Sequence, residues 1–445
     1  MDTAARERRS QVGIMMKAII LAGGIGKRMQ PIQKDKCLLK FVGKELILHQ
    51  VEALEKAGVR EFIIVCNPFS LEKVRELVGC KAEYVVQKEA HGMADSLLSI
   101  RNPPREALIV GTSDILDWDA YRTVLEKKEG DSVLIGYKVN SYFPGGYLVT
   151  EGDRLKGMIE KPGAGNEPSD MINLVVHYHR RFDKLIEAMK ITVSDRDDVY
   201  EKAMDTMMKK YDFRVAPYEG QWVPLKFPWH VLDAAKFFME RAEGKISLSA
   251  IVSDKAVITG KVIIDDNVKI FENAIVRGPC YIGKNSVIGN NTLVWSGCHF
   301  GDRCVVGCGS EIKHSYFGDE SWSHRNYIGD SVIADNCNFG AGTITANWRF
   351  DAQSICVNVG DKKVSTGTDK FGCIMGEGSK TGVHVSIMPG VKIGPNSIIG
   401  AHVMVPKDIG PGRFVVLKET IEEKENMLKS AGSKEELLKK MKGEK

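Results

Sequence analysis

The chain has 445 residues, of which 43% are hydrophobic and 27% charged, with a net charge of +4. That length exceeds one ordinary core, and the mixture is that of a globular protein. The near-balanced charge offers no footprint for nucleic acid, and no apolar run approaches the roughly 20 residues that span a bilayer. The opening MDTAARERRSQVGIMM has no apolar h-region and does not read as a secretory signal. Residues 1–15 are expected to be a disordered extension, with Met16 a candidate start. Ten cysteines occur without a CxxC pair, and Cys298, Cys304 and Cys308 fall where small buried side chains are wanted. Reduced thiols of this kind fit a cytoplasmic location.

From 16 to 243, apolar strands alternate with helical stretches: KAIILAGG, a helix over 44–58, EFIIVCN, a helix, AEYVVQ, a helix, ALIVGTSD, a helix and SVLIGYKV. The alternation predicts an α/β, Rossmann-like domain with a mostly parallel sheet covered on both faces. Ligands in such folds gather beyond the carboxyl ends of the strands. There the first strand runs into LAGGIGKRM, where Gly23, Gly24 and Gly26 let backbone amides turn toward a polyphosphate and Arg28 adds donors. Asp114 ends another strand, a position open to a metal ion or to a helix N-cap.

With Lys36 before Leu38 and Leu39, this segment resembles the signature of sugar-1-phosphate nucleotidyltransferases. The resemblance implies base reading by Gln87 and Gly92 in the GMADS segment, Mg²⁺ at Asp114, and a sugar site at Gly146, Glu160 and Asn173. It also implies attack of a sugar-1-phosphate oxygen on the α-phosphorus of UTP or dTTP, with Arg28 and Lys36 neutralising phosphate charge. Three residues depart from the family pattern: Lys27 for Thr, Asp35 for Pro, and Pro224 for a second metal-binding Asp or Asn.

From Ile246 to Ile312 an apolar residue recurs at every sixth position, with a small or β-branched residue four places after each of the first eleven. That period fits neither helix nor plain strand; it predicts a coil of short parallel strands over 244–410. The rhythm pauses after Ile312, resumes near Ile328, and runs again from Ile387 to Val405. Residues 313–327 and 346–372 are therefore expected to be loops expelled from the coil. A charged helical tail over 411–445 should follow.

The repeat resembles the left-handed parallel β-helix of hexapeptide acyltransferases, which implies a homotrimer with sites between subunits. Within HRNYIGDSVIADNCNFGAGTITAN, His324, Tyr327, Asn338 and Asn347 reproduce the spacing of the bifunctional bacterial enzymes that acetylate glucosamine-1-phosphate with acetyl-CoA. An imidazole titrates near neutrality, so His324 is the expected general base. The resemblance gives Asn347 to the oxyanion and Lys313, Tyr327 and Asn338 to the sugar phosphate. A family lysine falls at Gln353 and an arginine at Trp295, for which Arg277, Lys362 or Lys363 are candidate replacements. Small molecules are the expected partners, without nucleic acid or membrane. A prism that only assembles subunits, and a binding subunit without turnover, are the alternatives.

Overall fold

The computed structural model describes residues 16–89, 91–127, 129–418, 423–425 and 433–443; the expectation for residues 1–15 lies outside them. Its N-terminal part is built on a nine-stranded sheet. Lys17–Ala22 pairs in parallel with Glu61–Cys66 and Ala107–Gly111, so the strand that feeds the glycine-rich turn is interior to the sheet, with all its apolar residues but Leu21 buried. Only Arg154–Glu160 and Met171–His179 run against the other seven strands. Helices Leu46–Lys56 and Trp118–Glu126 help bury one face, and Gly92–Leu98, Phe182–Ile191 and Val199–Met208 the other.

The second part is a prism of three parallel sheets of eight, nine and eight strands, the architecture of a left-handed parallel β-helix. Each coil points one side chain inward from each face, nearly always apolar, as in the stack Ile264, Ile282, Phe300, Phe317, Ile333, Met375 and Ile393. The small positions have a polar reason as well as a steric one. Ser286 Oγ donates to Gly301 O at 2.9 Å and accepts Cys304 N–H at 2.9 Å, pairing corner groups that the sheets leave free. Corners turn through left-handed asparagines such as Asn267, Asn273, Asn285 and Asn291, a conformation Asn tolerates well.

Three expectations need correction. Residues 313–327 are not expelled: Tyr316–Phe317 and Trp322–Ser323 take their places in the coil. The rhythm was hidden because Ile312 to Phe317, Ser323 to Ile328 and Ile328 to Ile333 each span five residues instead of six, and Ser323 is an inward residue that is polar. Only 346–372 leaves the prism, as a hairpin of Cys356–Val359 and Lys362–Ser365. The coil also continues past 410, since Phe414–Val415 pairs with Ile398–Ile399; a helix follows at Lys434–Met441. Cys298 and Cys304 are buried, but Cys308 is exposed; all ten cysteines are free.

The two parts share a core. Phe41, Leu232 and Ala235 pack with Ile263, Tyr281 and Tyr316 on the outside of one prism face, and with Ile355 and Val357 of the hairpin. Polar contacts converge on 33–42: Gln33 and Lys34 N–H donate to the Glu377 carboxylate at 2.9 and 3.0 Å, Lys40 Nζ lies 2.8 Å from Asp319, and Val42 N–H donates to His299 Nε2 at 3.1 Å.

Candidate functional sites

The first site is a cleft of ≈ 550 Å³ beyond the central strand ends, bounded by Gly23, Gly24, Gly26, Lys27, Arg28, Lys36, Gln87, Gly92 and Asp114. Gly23 is fixed by a close approach, because a Cβ there would stand 2.2 Å from Gln87 Oε1. Gln87 is itself held by the GMADS helix: its Nε2 donates to Asp95 Oδ2 at 2.8 Å and its Oε1 accepts from Ser96 Oγ at 2.7 Å. Arg28, Lys36 and Lys226 surround Asp114 closely enough to act on one another's charge. Burial, with Arg28 adding to it, lowers Lys36 to about 8, and burial also lowers Lys226. Three cations at one carboxylate repel each other unless anions arrive, which is the electrostatics of a polyphosphate site.

Pro224 lies directly across from Asp114 in a short antiparallel pair. The strand's alternation then puts Trp222 on the cleft side, where its Nε1 donates to Asp114 Oδ1 at 2.9 Å. A bulge between Leu174 and His177 turns Val175 N–H onto Asp114 Oδ2 at 3.2 Å. Each oxygen thus accepts one N–H and keeps lone-pair capacity for a metal bond. No group of three or more His, Cys, Asp or Glu side chains gathers as a metal site among the described residues. One free carboxylate direction fits Mg²⁺, which keeps several waters and binds substrate phosphates, better than a cation needing a full protein cage.

Gly146 pairs with Glu160, and Tyr147 pairs with Ile172 beside Asn173, so the three sugar candidates share adjoining strands. Lys226 feels both Asp114 and Glu160 and so lies between the phosphate and sugar ends. Asn173 is set from behind by His177, whose Nε2 lies 2.8 Å from Asn173 Oδ1. Sequence reasoning missed Ser113, which accepts from Lys36 Nζ at 3.1 Å, and also Trp222, Val175 and the cleft residue Asp197. The adjacency of Ser113 to Asp114 was the one available signal. Asp35 faces away from the cleft toward Asn67, at 3.1 Å.

The second site wraps one edge of the prism. Asn347 Nδ2 donates to Tyr327 Oη at 3.2 Å and to Asp330 Oδ2 at 2.5 Å, while His314 Nδ1 lies 3.0 Å from Asp330 Oδ1. Lys313 pairs with Gly329, next to that cluster. Both Asn347 N–H bonds are engaged, so donation to an oxyanion would draw on the longer bond to Tyr327. Asn338 lies on the adjoining face, in a hollow of ≈ 320 Å³ with Trp322, Lys380 and Arg303. His324 occupies the corner between these faces and is exposed. Arg277 reaches along the face to stack over Trp295 at 4.4 Å, while Gln353, Lys362 and Lys363 are exposed on the excursion that carries the hairpin.

Residues 18–245 match the MobA-like NTP transferase domain, and 261–294 and 372–407 match the bacterial transferase hexapeptide (six repeats). A bifunctional sugar-1-phosphate nucleotidylyltransferase/acetyltransferase of Sulfurisphaera tokodaii is 34% identical over 409 residues, covering 90% of this chain and 99% of its own. Proteins named Bifunctional protein GlmU are similar over 91% of the chain and 98% of theirs, at 37% identity in Methanococcus maripaludis strain C7 and 31% in Methanocaldococcus jannaschii.

Proposed function

The chain belongs to the family of bifunctional sugar-1-phosphate nucleotidylyltransferase/acetyltransferases, and from that premise we propose its substrates and the residues that act on them. Glucosamine-1-phosphate, or galactosamine-1-phosphate, is acetylated by acetyl-CoA. The product then takes a nucleotidyl group from UTP or dTTP, giving UDP-N-acetylglucosamine in the first case, with release of pyrophosphate. The observation that carries this reading is that Arg28, Lys36 and Lys226 converge on Asp114 while Tyr327, Asn347 and Lys313 converge at the prism edge.

In acetyl transfer the amine nitrogen attacks the thioester carbonyl, His324 removes the amine proton, and the C–S bond breaks to release CoA. Tyr327 and Asn338 hold the sugar, Lys313 faces its phosphate, and Asn347 donates to the oxyanion by giving up its longer bond to Tyr327. In nucleotidyl transfer a sugar-phosphate oxygen attacks the α-phosphorus and the bond to the β-phosphate oxygen breaks. Arg28, Lys36 and Lys226 neutralise the phosphates, and Gly146, Glu160 and Asn173 orient the sugar. Asp114 would hold Mg²⁺, which when bound supplies charge neutralisation at the phosphates. The proposal includes a homotrimer and a cytoplasmic location; among the described residues no helix is long and apolar enough to cross a membrane.

The test pairs each amino-sugar 1-phosphate with acetyl-CoA and then with each nucleoside triphosphate, following free thiol and pyrophosphate. His324→Ala should cut thiol release by roughly 10²-fold or more and spare pyrophosphate release. Asp114→Asn should do the reverse. Absence of thiol release from the wild type would leave a nucleotidyltransferase whose prism only assembles subunits.

A further inference from the structure

Along one edge of the prism, the residue following each inward side chain forms a column: Ser253, Phe271, Gly289, Gly307, His324, Gly340, Gly382, Gly400 and Val416. Close coil stacking imposes these glycines. A Cβ would stand 2.3 Å from His324 O at Gly307, 2.3 Å from Gly382 O at Gly340, and 2.7 Å from Ala401 N at Gly382. The five glycine N–H groups each donate to a carbonyl of the next coil, those of Val306, Ser323, Thr381, Ile399 and Val415, at 2.7 to 2.9 Å. Between Gly289 and Gly400, His324 is the one residue of the column with a side chain, and that needs an explanation.

The explanation is Asn326. His324 N–H donates to Asn326 Oδ1 at 2.7 Å, and Asn326 Nδ2 donates to Gly340 O at 2.8 Å and Thr343 O at 3.1 Å. The amide, on a residue only 5% exposed, thus bridges a donor of one coil to an acceptor of the next where the other coils touch directly. Ser310 braces the same corner: its Oγ donates to His324 O at 2.5 Å and accepts Asn326 N–H at 3.2 Å. The bonds of Asn326 fix the backbone from which the imidazole projects. Its three side-chain bonds, one buried and two half-buried, are oriented, so the backbone geometry at 324 is specified by one side chain.

We propose that Asn326 is a positioning residue for acetyl transfer, holding the His324 backbone so that the imidazole reaches the amine. This rests on the reading of His324 as general base. A base displaced by even an ångström loses much of its effect, so the consequence falls on the chemical step and not on substrate affinity.

The test is a double-mutant cycle in the full-length protein, with free thiol and pyrophosphate both measured. Asn326→Ala should lower the acetyl-transfer kcat roughly 10-fold or more, with KM for acetyl-CoA and for the sugar phosphate within about twofold and pyrophosphate release unchanged. In the His324→Ala background the same substitution should remove little further activity, because two residues that act as one unit are not additive. Multiplying losses in the double variant, or an unchanged kcat in Asn326→Ala, would overturn the proposal. Should Asn326→Ala fail to fold, Ser310→Ala removes one bond from the same corner; a several-fold loss of kcat that vanishes in the His324→Ala background supports the proposal, and a loss that persists there refutes it. Normal acetylation by His324→Ala alone would instead remove the general-base reading, an outcome seen before any Asn326 variant is made.

Discussion

The carboxylate of Glu377, on the prism, accepts the main-chain N–H of Lys34 at 3.0 Å, across 343 residues of sequence. It also takes the N–H of Gln33, while the Lys34 ammonium pairs with Asp335. The segment between Arg28 and Lys36 is therefore held by the other domain. Glu377→Ala leaves two N–H groups without that acceptor and should slow pyrophosphate release roughly 10-fold, with thiol release unchanged. Unaltered pyrophosphate kinetics would mean that the loop is held by its own domain alone.

A second positioning effect lies behind the sugar end. Ser132, His179, Tyr200, His177 and Asn173 form an unbroken line of contacts of 2.7 to 2.9 Å, and one order of donors satisfies all four: hydroxyl of Ser132 to His179 Nδ1, His179 Nε2 to Tyr200 Oη, Tyr200 hydroxyl to His177 Nδ1, His177 Nε2 to Asn173 Oδ1. That order requires both imidazoles neutral, and burial does lower them, His177 to about 3. Tyr200→Phe removes the central hydroxyl and should raise KM for the sugar phosphate in nucleotidyl transfer by several-fold. An unchanged KM with a lowered melting temperature would assign the network to stability alone.

Much of this was legible in the sequence where the residues follow one another. The glycine-rich turn and its strand are local, and the six-residue comb reads itself out as far as Ile312. The comb was lost where three corners shorten by a residue and where Ser323, Thr345 and Thr381 replace apolar side chains inside the prism. Trp222 and Val175 reach Asp114 from strands more than 60 residues away, one through a bulge, and no spacing announces such contacts. Asn326 resembles any corner asparagine until its amide is found between two coils.

Acidification should destabilise the fold. Burial holds His49, His230 and His299 near 4 and His177 near 3, with His179 also lowered. Below about pH 6.5 these groups bind protons in the unfolded chain before they do so in the native one, so each takes roughly 1.4 kcal/mol from stability per pH unit until its native pKa is reached. Glu201 acts in the opposite sense, since burial raises it to about 7 and the native state holds its proton first. Asp35, Asp205 and Asp233, also raised by burial, act in the same sense as Glu201; the five lowered histidines outweigh these carboxyls, and the midpoint of thermal unfolding should fall steadily from pH 6.5 to 4.5. A midpoint that rises over that interval would contradict the balance.

Gly329 sits where a Cβ would meet Asn347 Nδ2 at 2.7 Å and Tyr327 Oη at 2.8 Å. Gly329→Ala should therefore push these side chains apart without opening a cavity, and lower acetyl transfer by roughly 10-fold through misplaced sugar contacts. Thiol release at saturating and limiting amino-sugar phosphate would measure it, with pyrophosphate release as the control. Wild-type rates would show that the Tyr327–Asn347 contact is dispensable.

The assembly prediction follows from what the prism leaves uncovered. Ile344 and Met404 stand outward on one face, Ile398 and Phe414 on the next, Val383 lies at the edge between them and Met388 at the far edge of the first; all six are exposed. Side chains that point outward from a coil contribute nothing to its core, so a run of apolar ones beside His324 and Asn338 is the surface expected of subunit contact. The same edge holds the residues proposed for acetyl transfer in an open, two-sided arrangement, which a neighbouring chain would close. A homotrimer should appear in light scattering, and Met404→Glu with Phe414→Glu should shift it toward monomer by burying unpaired charge at the contact. Acetyl transfer should then collapse while nucleotidyl transfer, whose cleft lies wholly within one chain, continues. A wild-type monomer that performs both reactions would exclude the shared site, and a dimer would require a different pairing of these faces.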